Sequence, residues 1–279
     1  MKDILVAIDF SKGSVHALEY AIELANLAQS NIIMVWVDNL SIQEVTLSSE
    51  TTELREDSKK NLEELVRAYK DKLKPGKLSF KIRKGKVYQE LSAQARQCES
   101  TLLITGTHGI TGFEEYWIGS NASRVVSYAP CPVISVKFNY DINRGYRRIL
   151  LPIDHTSQTI QKVHFTVKLA LLSGADINIL ALNTSRLRTM QRVVENNVSK
   201  VEKYLVANGI NYVVDTVMTD NVAAAIIEHA QEEDVDLVAI MTDWQNEASV
   251  TILGQFAQQL VNYSPVPILS IHPKDNFIL

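Results

Sequence analysis

The chain writes one succession of elements twice, and this repetition limits its possible folds more than any other feature. Residues 148–154, RILLPID, repeat the apolar run and terminal aspartate of residues 3–9, DILVAID, so that Asp154 answers Asp9. Ala175–Asn183 repeats the apolar run Asn31–Val37, Tyr212–Met218 repeats Leu78–Lys84, and Val222–Glu232 repeats Val87–Gln97. From Gly85 to Val136 the halves align without a gap: Gly254 answers Gly119 and Pro265 answers Pro130 at one constant offset. Self-similarity over so long a period is a tandem duplication of a domain-sized unit. Asn139–Arg147 is then the linker, and the expected domains are residues 1–140 and 146–279.

Inside each copy, short β-rich apolar runs alternate with helical patterns. In the first, DILVAIDFS reads as a buried strand stopped by Asp9 and Ser11. A helix over Ser14–Leu27 follows, with Ala17, Leu18, Ala21, Ile22, Leu24 and Ala25 on its inner face. Asn31–Val37 is a second strand, and the aperiodic polar segment Asp38–Thr52 reads as a mobile loop. Glu53–Leu73 is a charged amphipathic helix stopped by Pro75-Gly76. Strand Leu78–Lys84, helix Val87–Gln97, strand Leu102–Thr105, helix Ser120–Tyr128 and strand Pro132–Phe138 complete the copy. Strands separated by helices imply a parallel sheet covered on both faces.

One stretch carries chemistry. After the strand at Leu102 the glycines follow Gly-x2-Gly-x9-Gly-Ser, at Gly106, Gly109, Gly119 and Ser120, and Ala129-Pro130-Cys131-Pro132 leads into the next strand. Glycines after a strand let the backbone turn tightly and approach a ligand. A Gly-Ser pair opening a helix offers free N–H groups, a hydroxyl and the positive end of the helix dipole, a combination suited to phosphate. No Gly-Lys-Ser/Thr loop occurs, and the glycines follow a late strand, unlike a dinucleotide-binding fingerprint.

This pattern resembles the nucleotide-binding signature of the universal stress protein family, and through the duplication the resemblance covers almost the whole chain. It implies an α/β fold: two tandem Rossmann-like domains of the adenine-nucleotide-hydrolase type, each a five-stranded parallel sheet with helices on both faces. It also implies ATP, alone or with Mg²⁺, held by Gly106, Gly109, Gly119 and Ser120 at the phosphates, with Asp9 near the ribose. The backbone of Val37 would contact the adenine. His108, Ser123 and Arg124 lie close by in sequence, as spectators or weaker contacts.

At the four motif positions the second half carries Met241, Trp244, Gly254 and Gln255. Three of four are exchanged, so nucleotide is expected in the first half only, with Trp244, beside Asp243, filling the vacated cavity. The Asp9 carboxylate could help hold Mg²⁺, but nothing in the sequence marks a general base and there is no Walker lysine. The chain therefore reads as a nucleotide-responsive regulatory module with a protein partner. A slow ATPase or autophosphorylating enzyme is the alternative, and a pure interaction protein with a vestigial motif is a third reading.

A net charge of −4 gives no sign of the basic face of a nucleic-acid binder, and no apolar run reaches membrane-spanning length. The two cysteines, Cys98 and Cys131, make neither a disulfide framework nor a metal site, which points to the cytoplasm. Family members commonly pair through their last strands. Val133–Phe138 and Ile268–His272 are therefore expected to pair inside one chain as a pseudo-dimer, leaving room for a further homodimer.

Overall fold

Why the sheets are parallel follows from the chain's alternation: each strand is followed by a helix long enough to carry the backbone back to its starting edge. The computed structural model describes residues 2–39, 48–98, 102–107, 119–242 and 253–273. It divides into two compact units, Met1–Phe138 and Asn139–Leu279.

In the first unit β1 (Asp3–Ala7), α1 (Lys12–Ala28), β2 (Asn31–Asp38), α2 (Ser48–Tyr69) and β3 (Leu78–Lys84) come first. They are followed by α3 (Val87–Gln97), β4 (Leu102–Gly106), α4 (Ser120–Tyr128) and β5 (Val133–Val136). Its five strands are ordered β3-β2-β1-β4-β5, all parallel. Right-handed crossovers in that order put α1 and α2 on one face and α3 and α4 on the other. The strands read as continuous apolar runs because both faces are covered; Ile4, Leu5, Val6, Leu102, Leu103 and Ile104 are fully buried. All six residues assigned to the inner face of the first helix are buried on α1.

The second unit repeats the plan. β6 (Arg148–Ile153) is followed by a 3₁₀ turn, Thr159–Lys162, then α5 (Val163–Ser173), β7 (Asp176–Asn183), α6 (Arg188–Ala207) and β8 (Tyr212–Met218). α7 (Val222–Glu232), β9 (Leu237–Met241), α8 (Gln255–Tyr263) and β10 (Ile268–Ile271) complete it. The strand order is β10-β9-β6-β7-β8, again parallel. From α3 and α7 onward the elements of the two copies correspond one for one at the offset read from the sequence.

Two expectations need correction. Helix α2 begins at Ser48, inside the segment expected to be loop, and ends at Tyr69 rather than Leu73. Residues 70–73 leave the helix because the chain must reach the Asn26 side chain, whose amide donates to Lys72 O (2.9 Å) and whose Oδ1 accepts from Lys74 N–H (2.7 Å).

The segment expected as a linker is the other. Residues 139–147 pack into the second unit, where Asp236, fully buried ahead of β9, accepts from Arg147 N–H (2.8 Å), Arg148 N–H (3.1 Å) and Arg144 Nε (3.3 Å). Tyr140 donates to Asp236 O (3.2 Å), and Arg144 reaches Asp234 at 2.6 Å. Among the described residues no helix is long and apolar enough to cross a membrane.

Candidate functional site

The strand order of the first unit reverses between β1 and β4, and the crossovers leaving these two strands run to opposite faces. Open α/β sheets bind ligands in the crevice this opens beyond the carboxyl ends of the strands. Here a cavity of about 390 Å³ lies there, lined by Asp9, Ser14, Trp36, Val37, Asn39, Gly106, Thr107, Gly119, Ser120 and Asn121 among others. Five of the six residues assigned to the nucleotide (Asp9, Val37, Gly106, Gly119 and Ser120) line one space. The sixth, Gly109, lies outside the described residues, as do His108, Asp243 and Trp244.

The turn from β1 into α1 is tight. Asp9 Oδ1 accepts from Ser11 N–H (3.0 Å), and Ser11 caps the helix by accepting from Ser14 N–H (3.1 Å). Asp9 N–H in turn donates to Ser14 Oγ (3.3 Å). The helix cap is therefore Ser11, and Asp9 is held at the cavity edge by its neighbour's backbone. Phe10, between them, has φ +63°, a left-handed conformation that costs a bulky residue about 1–3 kcal/mol. Its ring lies 6.4 Å from that of Trp36.

Val37 owes its place to a difference in strand length. β2 pairs with β1 only as far as Ala7↔Val35 but with β3 as far as Asp38↔Lys84. In a parallel strand the backbone groups of alternate residues face alternate neighbours. Val35 O accepts from Ile8 N–H on the β1 side, and Asp38 O accepts from Gly85 N–H on the β3 side. Val37 therefore turns its N–H and C=O toward β1 at a level where β1 has already left the sheet. Its side chain is core, 9% exposed, while its backbone donor and acceptor stand side by side with no described partner.

At the far wall α4 starts at Gly119 with no side-chain cap. Gly119 N–H donates to Thr107 O (2.9 Å) and Ser123 N–H to Gly119 O (3.0 Å). The N–H groups of Ser120, Asn121 and Ala122 are left without a described partner, all three residues lining the cavity. Three convergent N–H groups at the positive end of a helix suit an anion.

The motif glycines divide by role. Among the described residues a Cβ on Gly119 would meet only Thr107 O, at 3.6 Å, and its φ of −58° suits any residue. A Cβ on Gly106 would sit 2.8 Å from both C and O of Gly13. Gly106 thus lets α1 pack its first turn against the end of β4, a role the glycine spacing did not disclose.

The second unit keeps part of this geometry. Gly254, with φ −54° and ψ 147°, opens α8 without a side-chain cap, as Gly119 opens α4 with −58° and 146°. The backbone donors at that helix start are retained, so it is the Ser hydroxyl and the motif glycines that were exchanged. The β6 end is built differently. Asp154 Oδ1 accepts from Thr156 N–H (2.7 Å) and Oγ1 (2.6 Å), and Asn197 on α6 ties down the carbonyls of Asp154 (3.0 Å) and Thr156 (3.3 Å).

Lys162, in the 3₁₀ turn, is buried with its ammonium on Thr159 O (2.9 Å) and Oγ1 (3.1 Å). Burial pushes its pKa down from 10.5 to about 8, against the opposing pull of Asp154. Its folded pKa is depressed, so between about pH 8 and 10.5 the unfolded chain binds more protons and stability rises with pH. Lys162→Met is expected to remove that rise, measured as urea midpoints across the window, and to leave neutral-pH stability unchanged or higher.

Sequence reading missed Ser14, Trp36, Asn39 and Asn121 as wall residues, since no motif marks them. Among the described residues no group of three or more His, Cys, Asp or Glu side chains is placed to hold a metal.

The model of the Universal stress protein family matches residues 1–137 and again 145–272. Universal stress protein YxiE of Bacillus subtilis is 29% identical over 146 residues, covering 48% of this chain and 97% of that protein. Putative universal stress protein SERP1273 of Staphylococcus epidermidis is 30% identical over 145 residues, covering 49% of this chain and 84% of its own length. Among solved structures, a universal stress protein from Archaeoglobus fulgidus has a TM-score of 0.80 at 18% identity, covering 97% of this chain and 98% of that one. A protein of unknown function, PA1789 from Pseudomonas aeruginosa, has a TM-score of 0.67 at 16% identity, covering 98% and 93%. Both structural likenesses concern the fold alone. With two matches that together span nearly all of its length, the chain belongs to the universal stress protein family, as a tandem member with two copies of the domain.

Proposed function

We propose that the first unit binds ATP, with or without Mg²⁺, and that the chain is a nucleotide-responsive regulatory module with its nucleotide in that unit alone. The observation that carries this reading is the set of three backbone N–H groups at Ser120, Asn121 and Ala122, which lack described partners and line one cavity with Asp9 and Val37. A polyphosphate takes its donors from the helix start and the Ser120 hydroxyl. Adenine, which donates from its amino group and accepts at the neighbouring ring nitrogen, matches the Val37 C=O and N–H. The Asp9 carboxylate accepts from ribose hydroxyls.

Mass spectrometry of small molecules released from the purified protein tests the ligand's identity; recovery of no adenine nucleotide, with no ATP uptake by calorimetry, overturns the reading. Ser120→Ala is expected to weaken ATP binding by about 1–2 kcal/mol, the scale of one hydrogen bond to a charged acceptor. Calorimetric titration of nucleotide-free protein measures it.

A further inference from the structure

Each copy ends its sheet on one side with an equivalent strand, β3 in the first and β8 in the second, and the two edges have diverged. β3 carries Lys81, Arg83 and Lys84, the kind of charge that keeps an edge from recruiting another strand. β8, YVVDTVM, carries a single charge, Asp215, whose carboxylate faces His229 of α7 at 3.5 Å. Its apolar side chains are open to solvent: Val213 is 52% exposed, Val214 39% and Met218 49%.

The backbone of β8 shows which groups are free. Ile177 N–H donates to Asn211 O, and Thr219 N–H donates to Asn183 O, so the odd-numbered residues turn their backbone toward β7. Tyr212, Val214, Thr216 and Met218 turn theirs outward, and no described residue pairs with them.

We propose that β8 is a self-association edge, through which two copies of this chain join by antiparallel pairing. Such an edge is complementary to itself, because each outward residue supplies both a donor and an acceptor. Pairing centred on Val214 sets Val214 opposite its own copy and Tyr212 opposite Thr216 of the second copy, an aromatic–β-branched pair of the favourable kind. It also sets Asp215 opposite Val213, so that no carboxylate meets its own copy. Centring on Asp215 would oppose two like charges, which disfavours that register.

Sedimentation velocity of the full chain across the micromolar range tests the proposal. The wild-type chain is expected to double its mass as concentration rises. Val214→Pro removes an outward N–H and no β7–β8 hydrogen bond, so it is expected to keep the circular dichroism of the wild type and to weaken association by at least about tenfold. Val214→Lys places two ammonium groups face to face and is expected to do the same, which covers the case in which the proline variant fails to fold. A wild-type chain that keeps its single-chain mass throughout, or association unchanged in a folded variant, overturns the proposal.

Discussion

A chain carrying Gly119→Val is expected to fold with nearly wild-type stability and to lose ATP. Among the described residues the added side chain has room: a Cβ there meets only Thr107 O, at 3.6 Å, and φ −58° is ordinary for valine. Exchanging glycine for valine at an N-cap costs the fold about 1 kcal/mol, since this cap uses no side-chain bond. The space the isopropyl group enters borders the cavity in front of Ser120, Asn121 and Ala122, where the phosphates are proposed to lie. Loss of those charge-assisted bonds is expected to lower affinity by on the order of 3 kcal/mol, more than about a hundredfold.

The control is the neighbouring motif glycine. Gly106→Ala puts a Cβ 2.8 Å from the Gly13 backbone, so α1 must move, and a stability loss of about 1–3 kcal/mol is expected. Calorimetry of the nucleotide-free wild-type chain is expected to give one ATP per chain. A stoichiometry near two would mean that the retained helix start at Gly254 still serves a ligand, and unchanged affinity in Gly119→Val would remove the phosphate assignment.

Asp236→Ala is expected to destabilise the second unit by about 3–5 kcal/mol, the usual effect of breaking a buried charge pair from one side. The carboxylate is fully buried and accepts two backbone N–H groups and the Arg144 guanidinium. Without it those two N–H groups lose their acceptors, and segment 139–147 loses its hold on the start of β9. Asp236→Asn keeps an acceptor oxygen and is expected to lose less. Urea unfolding followed by tryptophan fluorescence and circular dichroism should show the second unit unfolding before the first in Asp236→Ala. One coincident transition at the wild-type midpoint would refute the clasp.

The candidate site of the first unit was legible in sequence as far as local chemistry reaches. Glycine freedom, the Gly-Ser helix start and the carboxylate closing the first strand are properties of a few adjacent residues. The duplication multiplied that information, because two copies of one fold show which positions the architecture keeps. Thus the boundaries of α3, α4, α7 and β8 could be read directly, while the end of α2 could not. That end is set by the Asn26 side chain, 46 residues away from Lys72.

Relations of this kind belong to the tertiary structure. That Gly106 serves helix packing depends on Gly13, brought to it only when α1 lies across β4. That Val37 presents a donor and an acceptor with no described partner depends on β1 leaving the sheet before β2 does. The supposed linker became part of the second unit because Asp236, a single carboxylate in an apolar run, needs donors, and the distant residues 144–148 supply them. Composition and periodicity determined the strands, the helices and the repeat, because those follow from the local pattern of apolar side chains. Which backbone groups remain unpaired, and so can meet a ligand or a second chain, was decided where strands of unequal length meet and where a sheet ends.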